Sequence, residues 1–255
     1  MPDDRSAHIA ELESIATRYN PSDSTQHFDY WLKRLERDVL SKWIIGDRVV
    51  ELGCATGELS ALIAPMVDDY TIVEGSLANI ESAREKVPDA HYVHALWDEF
   101  DADAAVSDVV AFGTLEHAPD PVTLLSRSRK WLRPGGRLHI MVPNGNSLHR
   151  LVGVERGLLP DPLFLTEGDR SQGHLRNYTI DTILADVRAS GHAPIHWEGI
   201  FLKLLPNREM LGWEPDLIEA VHRVASRIPS FSAELYVCAV NGDEASISDA
   251  PGGLR

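Results

Sequence analysis

The run Val49-Val50-Glu51-Leu52-Gly53-Cys54-Ala55-Thr56-Gly57-Glu58 places two glycines four residues apart, directly after a short apolar stretch. Without a Cβ, Gly53 and Gly57 allow a ligand to approach the main chain closely. Glu74 closes the next apolar stretch, 21 residues after Gly53. A carboxylate there can accept two hydrogen bonds from vicinal ribose hydroxyls. Taken singly, the glycines are equally an ordinary tight turn and Glu74 equally a solvated strand-end acid; the specific signal is the pair. The G-x-x-x-G spacing is not the G-x-G-x-x-G that brings a helix N-terminus to a pyrophosphate, which disfavours a dinucleotide-dependent dehydrogenase. An α/β-hydrolase is disfavoured too, because no G-x-S-x-G elbow occurs.

Residues of this kind need strands and helices to hold them, and the hydrophobic pattern supplies both. Short apolar runs at 48–52, 70–74, 90–94, 108–112, 137–142, 193–200 and 234–240 read as strands. Helices are expected from Gly57 to about Met66, from Leu77 to Lys86, from Pro121 to Leu132, from Thr179 to Ala189 and near 215–227. Two more are expected at 1–20 and 25–43, separated by Pro21-Ser22-Asp23-Ser24. Pro134-Gly135-Gly136 is expected to turn the chain into the strand at 137–142. The alternation predicts an α/β, doubly wound, mainly parallel seven-stranded sheet with helical cap and lid insertions. Residues 1–45 form the cap, 46–143 the ligand-binding core and 144–178 a lid. Residues 179–240 complete the core around a second insertion at 201–233, and 241–255 are a disordered polar tail.

These residues resemble the motifs of class I, Rossmann-like, S-adenosylmethionine-dependent methyltransferases over about residues 45–142. Glu51-Leu52-Gly53-Cys54-Ala55-Thr56-Gly57 resembles their glycine-rich motif, with Ala55 where a middle glycine is common. Val73-Glu74-Gly75-Ser76 resembles the ribose-binding segment. Thr114-Leu115-Glu116-His117-Ala118-Pro119-Asp120-Pro121 resembles the segment beside the methionine portion, and Leu132-Arg133-Pro134-Gly135-Gly136-Arg137-Leu138 the turn before the fifth strand. The resemblance implies S-adenosyl-L-methionine as cofactor. It places adenine near Leu96-Trp97-Asp98, where plain core packing of Trp97 is the competing reading. Three further stretches, 142–150, 173–178 and 201–203, resemble bacterial methyltransferases of natural-product and carbohydrate biosynthesis.

Methyl transfer from a sulfonium is an in-line displacement in which alignment alone can supply about 7–11 kcal/mol. A hydroxyl acceptor also benefits from a base, while a carboxylate needs none and an amine need only be neutral. His149 and His174 are the base candidates, with His117 third; His27 lies in the cap. Each could instead be a structural or solvated histidine. Asn144, Arg150, Arg176 and Tyr178 are candidates for the acceptor, the arginines as bidentate donors to a carboxylate or phosphate. A salt bridge tying the lid down is the equal alternative for the arginines, and a structural hydrogen bond for Tyr178. The expected reaction is small-molecule methylation with oxygen favoured over nitrogen. A noncatalytic S-adenosylmethionine-binding protein would retain the same glycines and Glu74.

A net charge of −15, from 39 acids against 24 bases, disfavours nucleic acid and an anionic membrane surface as partners. Cys54 and Cys238 lie in apolar segments outside any Cys/His cluster, so no metal site is expected. No apolar stretch is long enough to span a bilayer. Met1-Pro2-Asp3-Asp4-Arg5 lacks the basic start of a secretory signal, which makes a cytoplasmic location the expectation. Oligomeric state is left open, a homodimer included.

Overall fold

The computed structural model describes residues 4–17 and 27–242. The Pro21–Ser24 break and the polar tail beyond residue 242 lie outside them. Strands β1 (Arg48–Leu52), β2 (Asp69–Glu74), β3 (His91–His94), β4 (Val106–Phe112), β5 (Leu132–Pro143), β6 (His192–Ile200) and β7 (Glu234–Asn241) form one sheet in the order β3-β2-β1-β4-β5-β7-β6. The first five are parallel, and β7 runs antiparallel to both its neighbours. The doubly wound sheet read from the sequence is therefore correct, with the antiparallel β7 as its departure from a parallel sheet.

Side-chain alternation along each strand divides the core between two faces. Val49, Ile72, Val110 and Met141 pack on one face with α2 (Asp29–Leu40) and α3 (Glu58–Ile63). Val50, Val73, Val109 and Ile140 pack on the other with α5 (Pro121–Trp131) and α8 (Ile180–Ala189). β4 is buried at all seven positions, as expected for a central strand covered on both sides. Helix α4 (Leu77–Lys86) starts where the sequence places it, because Ser76 caps it by accepting the Asn79 N–H.

Two boundaries differ from expectation. β5 begins at Leu132, not 137, because Leu132 pairs with Val106 before a register shift lets Arg137 pair with Asp108. The Pro-Gly-Gly segment is thus an irregularity inside the strand, with Gly135 at φ +77°. The second is the segment 144–178, which is less irregular than its composition suggests. It holds α6 (Leu148–Glu155) and α7 (Glu167–Ser171), the latter fixed by a Thr166/Asp169 capping box. Residues 201–233 carry α9 (Asn207–Met210) and α10 (Pro215–Ala225).

Both of these segments leave the sheet at the carboxyl ends of β5 and β6, since Pro143 and Ile200 each pair with Glu234 at the start of β7. That is the end at which open α/β sheets bind ligands. Helix α1 (Asp4–Ala16) lies across this end. Its Leu12 meets Gly75, its Ile15 meets Gly173, and Glu13 accepts hydrogen bonds from Ser76 Oγ and the Leu77 N–H at the start of α4. No helix among the described residues is long and apolar enough to cross a membrane.

Candidate active site

The strand order reverses between β1 and β4, which opens a crevice at their carboxyl ends. The glycine turn after β1 forms one wall. Gly53 has φ +82°, and a Cβ on it would stand 3.2 Å from the Trp97 ring. Ala55 also has a positive φ, +45°, at the position where related motifs carry glycine. Gly57 has a different reason to be glycine: its Cβ would lie 2.6 Å from the Ala83 Cα of α4, so helix packing, rather than a ligand, requires it.

Glu74 ties the crevice together. Its Oε2 accepts the Cys54 N–H at 3.1 Å and its Oε1 the Ser76 N–H at 2.9 Å, locking the loops after β1 and β2 to one carboxylate. The Cys54 thiol also donates to Oε2, at 3.7 Å, so Oε1 is the oxygen with a lone pair left for a ribose hydroxyl. Leu96 packs on Gly75, and the Trp97 ring covers Gly53 closely enough that a Cβ there would have to push it aside. This glycine-walled crevice with an under-used buried carboxylate fits a nucleoside. Across the switch point, Thr114 Oγ1 donates to Leu52 O at 2.6 Å and fixes the end of β4 to the end of β1. Glu51 faces away from Glu74's loop bonds: Ser60 and Tyr70 donate to it at 2.7 and 2.6 Å, and burial pushes its carboxyl up to about 7.

The residues expected to bind the acceptor are all hydrogen-bonded within the chain. Arg150 donates to Pro162 O, Phe164 O and Asp169 Oδ2, closing the lid on itself. Arg176 donates to Leu115 O, Ala118 O and Pro119 O, stapling the lid to the loop after β4. Asn144 is buried and bonded to Ser230 O, Ser232 O and the Asn146 N–H. Tyr178 is buried and donates to Asp186 at 3.1 Å. All four are engaged in holding the walls.

The histidines divide differently. His117 and His174 come together with ring centroids 4.8 Å apart. His149, on α6, stands outside that pair, and its main-chain N–H donates to Lys203 O. Burial is the main cause that lowers all three: His117 to about 4 and His149 to about 3, with His174 also lowered. All three are neutral at pH 7, but at about 4 and about 3 His117 and His149 draw a proton weakly.

The group that sequence reasoning left out of the site is Glu116. It is 2% exposed, its Oε2 has no hydrogen-bond partner, and burial pushes its carboxyl up to about 7. A second group of buried acids lies behind it. Lys33 sits 3.1 Å from both oxygens of the fully buried Glu36, and Glu234 Oε2 is buried without a partner. Burial raises Glu36 and Glu234 and lowers Lys203. Single acids spread from position 36 to 234 carry no spacing signal, so only the fold reveals them. Two surface concavities, beside Arg129 and Asn241 and beside Arg48 and Asp103, open at the amino ends of the strands, away from this chemistry.

Residues 15–196 match the model of a methyltransferase domain. The chain belongs to this family. Trans-aconitate 2-methyltransferase of an Azoarcus species is 31% identical over 125 residues, 47% of this chain and 49% of that protein. The ubiquinone biosynthesis O-methyltransferase of Erwinia tasmaniensis is 28% identical over 159 residues, 58% of this chain and 65% of that protein. The chain thus spans about half the length of the first of these relatives. The Burkholderia thailandensis 1,6-didemethyltoxoflavin-N1-methyltransferase, solved with S-adenosylhomocysteine, superposes with a TM-score of 0.60 at 18% identity, covering 93% of this chain and 89% of its own. The fold is that of the S-adenosylmethionine-dependent methyltransferases, and S-adenosylmethionine is the cofactor that the Gly53/Glu74 crevice fits.

Proposed function

We propose that this methyltransferase-family chain transfers the methyl group of S-adenosylmethionine to an oxygen of a small-molecule acceptor, with Glu116 receiving the acceptor's proton. The cofactor supplies an activated methyl group on a sulfonium. The chain's own residues hold it: Glu74 binds a ribose hydroxyl, Gly53 and Cys54 pass close beneath, and Leu96 and Trp97 flank the base. The observation that carries the oxygen assignment is Glu116, a buried carboxyl near pH 7 with a free Oε2 on the loop after β4. A proton acceptor works best when its pKa lies near the working pH, and Glu116 meets this where His117 and His149 do not. The curated relatives named above include O-methyltransferases, which agrees with this reading. The lid and the 201–233 segment would close over the acceptor, with Glu36, Glu234 and Lys203 setting the polarity of its pocket. Natural-product or sugar biosynthesis is the setting we infer from the lid's resemblance.

The test is a screen of hydroxyl, carboxylate and amine acceptors with radiolabelled cofactor, followed by Glu116→Gln. Turnover on the hydroxyl acceptor should fall about 10²–10⁴-fold while S-adenosylhomocysteine affinity stays within about threefold. Wild-type kcat should rise through pH 7 as Glu116 loses its proton. Near-normal turnover by the variant across roughly pH 6 to 9 would remove Glu116 from the mechanism. Turnover confined to amines or carboxylates would replace the hydroxyl reading.

A further inference from the structure

The loop after β4 and the end of the lid bring three metal-binding side chains together from positions 116, 117 and 174. One donor atom from each of Glu116, His117 and His174 lies within 4.8 Å of the others. We propose that these three residues bind one divalent transition-metal ion. Glu116 Oε2 and His174 Nδ1 are both buried without a hydrogen-bond partner, although unpaired buried polar atoms are costly. A cation answers that cost for a carboxylate and an imidazole at once.

The donor set fits such an ion. Two imidazoles and one carboxylate suit zinc, manganese, iron or cobalt rather than magnesium, which prefers oxygen. Bonds of roughly 2.1 Å hold donors roughly 3.4–4.2 Å apart, so loading draws these side chains inward by less than about 1 Å. The two loops are already joined, since Leu175 N–H donates to Glu116 O at 2.7 Å and Arg176 donates to Leu115 O at 2.9 Å. Asp169 Oδ1 stands 4.0 Å from His174 Nδ1, beyond hydrogen-bond reach, so that nitrogen stays open to a cation. Three protein ligands leave coordination positions open, as in catalytic rather than structural sites. The expectation of no metal site rested on the cysteines. It did not reach this set because 57 residues separate His117 from His174.

For its consequence, though not for the binding itself, the inference rests on the hydroxyl-acceptor reading. A cation held by Glu116 would lower that carboxyl's own pKa as well as that of an acceptor hydroxyl bound to it, so Glu116 would serve as proton acceptor in the metal-free chain and as ligand in the loaded one.

The experiment is calorimetric titration of the full, chelator-treated chain with zinc chloride, and visible absorption with cobalt chloride. We expect one saturable equivalent and a cobalt d–d band. Glu116→Gln and His174→Gln should each weaken binding at least about tenfold while S-adenosylhomocysteine binding persists, which shows that the variants are folded. His117→Gln is the substitute should either variant fail to fold. No saturable binding, or binding equally tight in the variants, overturns the site. If zinc does not bind yet Glu116→Gln still stops turnover, the metal inference falls and the proton-acceptor role stands. If zinc binds and the ligand variants release it, the site stands even where no hydroxyl is methylated.

Discussion

Replacing Glu74 with Gln keeps the side chain's shape and removes its charge and one acceptor oxygen. In the wild-type chain both oxygens take a buried main-chain N–H, from Cys54 at 3.1 Å and from Ser76 at 2.9 Å. In Glu74→Gln one of these N–H groups faces an NH2 instead. Losing that charge-assisted bond costs roughly 1.5–3 kcal/mol, and the surviving bond weakens to the neutral value of about 1 kcal/mol. The ligand-free protein should therefore lose about 2–4 kcal/mol of stability. S-adenosylhomocysteine loses a charged acceptor for its ribose as well, so its affinity should fall by a further 2–3 kcal/mol, about 30- to 150-fold. Urea denaturation of the ligand-free chain and calorimetric titration of the ligand read the two effects separately. A carboxylate that met only the ribose would leave the ligand-free stability untouched; that result would refute the loop-clamping role. Affinity within about threefold of wild type in a folded variant would refute the ribose assignment.

Gly53→Val should abolish S-adenosylhomocysteine binding while far-UV dichroism is largely kept, because the new side chain meets the Trp97 ring and valine resists φ +82°; calorimetric binding at wild-type strength would show that the crevice lies elsewhere. Gly57→Ala should instead lower the melting temperature of the ligand-free chain, since its Cβ meets the α4 main chain at 2.6 Å; an unchanged melting curve would contradict that packing. His192 is 2% exposed, with a pKa that burial pushes down to about 3. Its depressed pKa contributes stability above the unfolded value of about 6.5, and that contribution is lost as pH falls from there toward the folded value. At pH 5 the loss is roughly 2 kcal/mol, so His192→Asn should lose about that much less stability than wild type between roughly pH 7.5 and 5. Parallel curves of stability against pH would rule this out.

The sheet was legible because its strands are short apolar runs set between helices with local stop and start signals, Ser76 and Asp120 among them. The meeting of two loops at Glu74 was legible because Gly53 and Glu74 sit at the ends of adjacent strands, where sequence spacing and spatial position coincide. The start of β5 was missed because Pro134-Gly135-Gly136 reads locally as a turn, while its pairing with β4 is a long-range fact. On the acceptor side the sequence left Arg150 and Arg176 between binding an anion and tying the lid down. Arg150 and Arg176 carry the right chemistry for an anion, but main-chain carbonyls of the surrounding loops reach them first. Nothing in a sequence shows which carbonyls a folded lid will point at an arginine.

Two buried polar networks then separate structure from function. Asp108, in the middle of β4, accepts from Ile45 N–H, Gly46 N–H, Ser107 Oγ and His139 Nε2, and Tyr236 completes the histidine at 2.8 Å. Every lone pair of consequence there is answered, so the network holds α2's exit to the sheet and asks for no ligand. Glu116 and Glu234, at the carboxyl end of the same sheet, each leave an oxygen buried and unanswered. An orphaned acceptor costs about 1–3 kcal/mol. A fold that satisfies Asp108 so fully has the means to satisfy these as well, and an apolar residue such as Leu would have removed the unpaired oxygen outright. Retaining acids at both positions makes sense if a donor arrives from outside the chain, and the acceptor's hydroxyl, or a cation beside it, is such a donor.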